Sequence, residues 1–142
     1  MHLNIELDSL PYTIHRFNPS TIPSTYLRLV EGQSWFSITK TTQELSIVIS
    51  HDYSDESSML LADDHRINGG WRCFKVVGPL DFSLVGILAN LADALAVQSI
   101  SVFVVSTFDT DYILVKKDKV LKAKKAFEDI GHSVKEVESF AE

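Results

Sequence analysis

Two stretches of the 142-residue chain carry residue types that could bind a small charged molecule. The first lies at the start of an apolar helix predicted over 83–97, and it contains Gly86. Free backbone N–H groups and the helix dipole favour an anion there, and Gly86 lets a ligand approach the backbone closely. The simpler interpretation is that Asp81 or Ser83 merely caps the helix, and the sequence leaves both open.

The second stretch is an acidic turn, STFDTD, between two predicted strands, and it offers the carboxylates of Asp109 and Asp111. Asp and Thr are ordinary turn residues, so a plain turn is the simpler interpretation. In the predicted strand order, however, this turn and the start of the helix can lie at the same end of one sheet. Backbone N–H groups from one and carboxylates from the other would together suit a zwitterion.

Catalytic and metal-binding chemistry has less support in the sequence. The histidines are scattered and lack metal-ligand spacing, at His2, His15, His51, His65 and His132. His51 and the run 63–65 could meet at a metal, but a solvated loop is the simpler interpretation. Cys73 lies in a predicted strand as a small core residue, and no phosphate loop, dinucleotide fingerprint or nucleophile elbow is present. We therefore expect no enzyme activity, no metal and no cofactor.

The net charge of −6 argues against nucleic acid and anionic membrane as partners, because both require basic patches. The lysines cluster between 116 and 125, but they share that region with acidic residues and form the solvated face of a predicted helix. The single cysteine suits a reducing compartment, and the first residues carry no signal-peptide pattern. These features predict a cytoplasmic protein.

The first half of the chain reads as β-rich. Strands are predicted at 11–17 and in the runs SWFSITKTT and ELSIVIS, with a hairpin turn at Thr42 and Gln43. At most one helical turn fits at 25–30. A polar connector over 51–70 ends in a strong break at Asn-Gly-Gly. This pattern predicts an N-terminal subdomain at 1–65 and a C-terminal domain at 66–142.

The second half alternates strands and helices. Strands are predicted at 71–77, 100–106, 112–116 and 132–138, with helices at 83–97 and from the capping residue Asp118 to Ile130. The order βαββαβ is the split unit of α+β, ferredoxin-like folds. We expect the first half to add a second, incomplete unit of the same kind.

The helix at 83–97 is apolar around most of its circumference, with Leu84, Leu88, Leu91 and Leu95 on one face. A surface helix needs only one apolar face, so a second surface should cover the surplus. A symmetric homodimer would provide it, and the N-terminal half is the rival. A third interpretation places the helix deep in the core of a monomer.

The stretch WRCFKVVGPLDFSLVGILANLADALAVQSISVFVVSTFDTDYILVK resembles the ACT-domain superfamily, and in particular the group related to the CASTOR-like cytosolic arginine sensors. The resemblance covers 71–132 and implies a regulatory, non-enzymatic fold that binds amino acids where two ACT units meet. By this resemblance, Val85, Gly86 and Ile87 hold the α-carboxylate of the ligand. The residues that would hold a basic side chain are Ser106, Thr107, Phe108 and Asp111.

Two functions follow from these expectations. The first is a regulatory module that binds an amino acid or similar small zwitterion and acts on a protein partner. The alternative is an ACT-fold interaction or dimerisation module that binds no metabolite. A small enzyme is a distant third.

Overall fold

A computed structural model describes residues 1–51, 61–62, 64–77 and 85–140. In chain order the elements are β1 (Asn4–Leu7), β2 (Tyr12–Phe17), α1 (Pro23–Val30), β3 (Phe36–Lys40), β4 (Leu45–Ile49), β5 (Arg66–Val76), α2 (Ile87–Val97), β6 (Phe103–Ser106), β7 (Asp111–Lys116), α3 (Val120–Asp129) and β8 (Ser133–Glu136). They confirm an α+β fold.

The chain divides into two compact units. One comprises Pro11–Gly70 and is called the inserted unit; the other joins Met1–Leu10 to Trp71–Glu142 and is called the split unit. The predicted division at 1–65 and 66–142 assigned the first ten residues to the N-terminal subdomain. They belong to the split unit because β1 pairs with β5 and β8.

The split unit contains the predicted βαββαβ order as β5-α2-β6-β7-α3-β8. Its sheet differs from the expectation in one respect, because β1 lies between β5 and β8. Ile5 is opposite Val76 in an antiparallel pair and opposite Val134 in a parallel pair. On the other side of β5, β7 pairs antiparallel to β5, and β6 pairs antiparallel to β7.

Both helices pack on one face of this sheet and bury a single apolar core, whose largest members include Leu7, Phe74, Leu91, Leu95, Ile113 and Phe127. In α2 the buried residues are Ile87, Leu91 and Leu95. Leu91 is completely buried within a single chain, so it cannot lie in an interface with a second copy. The expectation that a second copy covers this residue was therefore wrong. The side chain of Leu88 is half-buried, and Leu84 lies outside the described residues.

The inserted unit has the strand order β3-β4-β2-β5, with β5 beginning in this unit. The predicted hairpin is present, because Thr41 and Glu44 close the turn between β3 and β4. Helix α1 is two turns long, where at most one was expected; a proline in its first turn suits a helix start. The core of this unit is formed by Phe17, Leu29, Val30, Leu45, Ile47 and Ile49.

Two further predictions were wrong. The Asn-Gly-Gly sequence does not end the polar connector, because Asn68, Gly69 and Gly70 lie within β5. Gly70 has a φ of 78°, a conformation that glycine adopts without steric cost, so the strand continues through it. Asp118 does not cap the second helix, since it lies in the 3-10 turn Lys117–Lys119 and α3 begins at Val120 without a side-chain cap.

Among the residues with described structure, no helix combines the length and the apolar composition needed to cross a membrane.

Candidate functional site

The candidate residues lie at one edge of the split unit because of strand direction. Strands β5 and β6 are both antiparallel to β7, so β5 and β6 run in the same direction. A helix that connects two parallel strands of one sheet crosses back over the sheet, so α2 begins at the edge where β5 ends. The turn that follows β6 lies at this same edge. The two predicted stretches, 85–87 and 106–111, therefore lie at a shared edge.

Thr110 anchors the β6–β7 turn to the end of β5. Its side chain is buried, and its Oγ1 donates a hydrogen bond to the carbonyl oxygen of Val76, the last residue of β5. The turn is closed by the N–H of Thr107, which donates to the carbonyl oxygen of Thr110 at 2.8 Å. Thr107 Oγ1 donates to the same oxygen at 3.0 Å. These bonds hold the acidic turn against the strand that leads to α2.

The acidic turn presents its functional groups in two directions. Ser106 and Asp111 are directly opposite each other in the β6–β7 pair. Alternate residues of a strand share a face, and Ile113 belongs to the core under α2, so Asp111 projects on the helix-covered face. Its side chain is half-buried, whereas Asp109 is exposed and Phe108 is 81% exposed. Asp111 is therefore the carboxylate placed on the same face as the helix start.

Among the described residues, no side chain caps the start of α2. Gly86 is the N-cap residue, with a φ of 82° and no side chain that could accept from the first-turn N–H groups. Its carbonyl oxygen accepts the first hydrogen bond of the helix from the N–H of Asn90 at 2.9 Å. Val85 is 87% exposed, and Ile87 is buried. Asp81 and Ser83, the alternative capping residues, lie outside the described residues.

The first N–H groups of a helix have no partner within the helix and point out of its first turn, and these groups favour an anion. Gly86 allows the left-handed backbone at this position, and a Cβ there would meet no other atom within 4 Å. The edge thus places anion-binding N–H groups on the same sheet face as the carboxylate of Asp111. This combination can hold a molecule that carries both charges.

Sequence reasoning missed three residues that support this edge, namely Asn90, Thr110 and His132. The Nε2 of His132 lies 2.6 Å from Oδ1 of Asn90. The N–H of Leu3 donates to Nδ1 of His132 at 3.1 Å. The available signal was Asn90 itself, a polar residue in an apolar helix one turn beyond the glycine.

No metal centre is present among the described residues, since no group of three or more His, Cys, Asp or Glu side chains converges in them. Cys73 is buried in β5, in agreement with its prediction as a core residue. The buried histidines His15 and His65 hydrogen-bond to each other.

The fold and this edge can be compared with known proteins. A family model for the ACT domain matches residues 66–129. The matched region, residues 66–129, belongs to the ACT-domain family. The ACT match confirms the resemblance predicted over 71–132 and includes both stretches of the candidate site.

This ACT-domain protein is similar over its whole length to a crystal structure of a protein from Agobacterium tumefaciens. The identity is 31% and the TM-score is 0.78, and the match covers 100% of this chain and 98% of the other. The regulatory subunit of aspartate kinase from Thermus thermophilus, in its ligand-free form, matches with 12% identity and a TM-score of 0.63 over 88% of this chain and 95% of that one. At that identity the likeness shows the fold alone.

A shorter match connects the ACT-domain protein to the mouse cytosolic arginine sensor for mTORC1, subunit 1. The two are 41% identical over 51 residues, which are 35% of this chain and 15% of the sensor. The chain therefore spans a small part of the curated relative that it matches.

Proposed function

We propose that this ACT-domain protein is a regulatory module that binds a free amino acid or a similar small zwitterion. The observation that supports it is the shared edge of the split unit. There, the start of α2 at Gly86 and the carboxylate of Asp111 lie on one face of the sheet. The names of two relatives, an arginine sensor and a regulatory subunit, favour the same class of function.

In this proposal the α-carboxylate of the ligand accepts hydrogen bonds from the backbone at Val85, Gly86 and Ile87. An oriented set of N–H groups at a helix start suits a carboxylate without requiring a basic side chain. A basic side chain of the ligand, where it has one, meets Asp111 or Asp109. Ser106, Thr107 and Phe108 complete the contact around that side chain.

Regulation requires that the ligand bind one state of the protein better than another. We propose that these states are assembly states of a homodimer, with the ligand held where ACT units of two copies meet. Val85 and Phe108 lie at this edge of the split unit, and each is more than four-fifths exposed to solvent. Such apolar side chains would lose contact with water when a second copy covers the ligand.

The proposal includes no catalytic step and no cofactor. It places the protein in the cytoplasm, as the name of the mouse relative suggests for that relative. A regulated protein partner completes the function, and neither nucleic acid nor membrane is required.

A second candidate function is an ACT-fold interaction module without a metabolite ligand. Exposed apolar side chains outside the proposed site favour it, because Val97 on α2 and Leu121 on α3 are each 80% exposed. In that case amino acids would leave the stability of the protein unchanged.

Thermal unfolding in the presence of each of the twenty amino acids separates the two candidates. A ligand at a hundredfold excess over its dissociation constant adds about 2.7 kcal/mol to the free energy of unfolding, which raises the melting temperature by several degrees. A positive result should be repeated with the matching amino-acid amide, which lacks the α-carboxylate and should bind much more weakly. Equal melting temperatures with all twenty amino acids would contradict ligand binding and favour the interaction module.

A further inference from the structure

His132 connects three elements of the split unit through one buried imidazole ring. The residue lies between α3 and β8, and only 5% of it is exposed. The backbone N–H of Leu3 can only donate, so Nδ1 of His132 is the acceptor of that hydrogen bond. The ring proton is then on Nε2, which donates to Oδ1 of Asn90 at 2.6 Å. The neutral ring therefore joins the segment that leads into β1 to the first turn of α2.

Asn90 is bonded to the helix start by its backbone as well. Its N–H donates to the carbonyl oxygen of Gly86, the residue at which α2 begins. Its side chain is fixed from the other side by His132. One residue thus connects the buried ring to the backbone at Gly86.

We propose that Asn90 and His132 are positioning residues for the candidate ligand site, and that the neutral ring of His132 holds the first turn of α2 in its binding position. This inference rests on the proposed function for its link to a ligand. Its structural part, the coupling of the ring to Gly86, stands independently.

Protonation of His132 would disturb this arrangement. A proton on Nδ1 faces the N–H of Leu3, so two donors meet at 3.1 Å and the ring must move away. Because Nε2–H of His132 is hydrogen-bonded to Asn90, movement of the ring displaces Asn90 and with it the start of α2. Ligand affinity should then fall in acid, because the ligand binds best to the state with a neutral His132.

The surroundings of the ring oppose its protonation. Burial lowers the pKa of His132 below its usual range, and the charges of His2 and of the Met1 amino group lower it further. His2 lies on the same side, with Nδ1 2.6 Å from the carbonyl oxygen of Gly131.

Several charged side chains on the elements around the ring have other partners or face solvent. Lys124 of α3 and Glu136 of β8 pair with each other at 3.4 Å, Lys125 and Asp129 pair at 2.8 Å, and Asp93 of α2 and Glu128 of α3 are exposed. We therefore expect the coupling to be complete at pH 8 and to be lost in the acidic range.

The variant His132→Gln separates a titrating role from a purely structural one. A glutamine can accept from Leu3 with its oxygen and donate to Asn90 with its amide, but it does not titrate. The matched control is His2→Gln, which removes the neighbouring imidazole and keeps His132. Asn90→Ala removes the hydrogen bond between His132 and α2 and keeps the hydrogen bond from the N–H of Leu3 to the ring.

The test on the ligand-free protein is a pH titration followed by NMR. In the wild type, the amides of Gly86 and Ile87 should shift with the same midpoint as the ring nitrogens of His132. The shifts should disappear in His132→Gln and in Asn90→Ala and persist in His2→Gln. If the amide shifts of Gly86 and Ile87 in the wild type do not change as His132 titrates, the coupling is overturned.

The test with a ligand uses L-arginine and L-leucine in isothermal titration calorimetry between pH 8 and pH 5. For a fully coupled ring, affinity falls roughly tenfold for each pH unit below the midpoint of His132 in the wild type and stays constant in His132→Gln. An identical pH profile in both proteins would overturn the positioning role. If none of the twenty amino acids raises the melting temperature but the amides follow the ring, the proposed function fails and the coupling stands.

Discussion

His15 and His65 face each other inside the inserted unit, with Nδ1 of His15 2.8 Å from Nε2 of His65. The N–H of Leu61 donates to Nδ1 of His65 at 2.9 Å, so the ring proton of His65 is on Nε2 and is donated to His15. Phe17 stacks on His65 with ring centroids 4.1 Å apart. Both rings are therefore held as neutral groups within an apolar core.

Acid should destabilise the protein through this pair. Burial lowers the pKa of His15 to about 4, and His65 and His51 add to the effect. Burial also lowers the pKa of His65, although Asp64 acts in the opposite direction. The unfolded chain binds protons near pH 6.5 that the folded chain does not, so the stabilisation is complete above pH 6.5 and is lost as the pH falls towards 4.

Urea unfolding at pH 7.5, 6, 5 and 4.5 measures this loss. For His15, the free energy of unfolding should fall by about 2 kcal/mol across the range, since each unit of pKa shift corresponds to about 1.4 kcal/mol. His15→Gln should flatten the pH dependence, even where it lowers stability at pH 7.5. His51→Gln should change the pH dependence much less, because His51 makes the smallest contribution to the lowered pKa of His15. A wild type with constant stability would contradict the assignment.

Asp111→Asn should weaken the binding of L-arginine by tenfold or more and alter the binding of L-leucine little. The reason is that hydrogen bonds to a charged group stabilise by about 1.5–3 kcal/mol, whereas an uncharged ligand side chain makes no such bond. Calorimetry with both amino acids provides the comparison. Asp93→Asn, an exposed acid on α2, makes the same charge change away from the site. An equal loss for arginine and leucine would count against the proposed role of Asp111.

Gly86→Ala should reduce amino-acid affinity more than it reduces stability. The φ of 82° makes a side chain at Gly86 unfavourable by about 1–2 kcal/mol, although the space around it is open. Gly32→Ala is the matched control, because Gly32 has a φ of 78° with equally open surroundings and follows α1 in the inserted unit. Both variants should lose similar stability in urea unfolding, and only Gly86→Ala should lose affinity. If Gly86→Ala and the wild type bind the amino acid with equal affinity, the start of α2 is not part of the ligand site.

Val85→Lys should dissociate the proposed homodimer. A charge at a side chain that a second copy covers would be buried without a partner, which is strongly unfavourable. Sedimentation equilibrium at micromolar concentration should show a mass that depends on concentration in the wild type and a 15.9 kDa species in the variant. Leu121→Lys, at a similarly exposed position on α3, should associate like the wild type. A wild type of 15.9 kDa at all concentrations would end the dimer proposal.

The order of elements in the split unit was predictable because each element has its own pattern. The apolar residues of α3 fall on one face, and β7 contains the apolar run Ile113–Val115. The helix start and the acidic turn were predictable for a related reason, since glycine and aspartate mark such places by local chemistry.

Other features depend on distant residues, and no local pattern reports them. Strand β1 has only four residues, and its burial is decided by β5 and β8, which follow much later in the chain. Likewise, Leu91 was read as surplus apolar surface because the sequence does not show how much of α2 its own sheet covers. The anchoring role of Thr110 and the contact between Asn90 and His132 arise only from tertiary structure.

The position of β1 between β5 and β8 affects how the protein can be made and cut. As the chain leaves the ribosome, β1 emerges first, and both strands that flank it emerge only after the inserted unit has been synthesised. Until then its apolar side chains have no partner in their own sheet, and pairing at long sequence separation is slow. A fragment that begins at residue 66 contains every element of βαββαβ and still lacks a central strand. The excised ACT sequence should therefore aggregate on expression, and adding residues 1–10 as a separate peptide should restore its solubility.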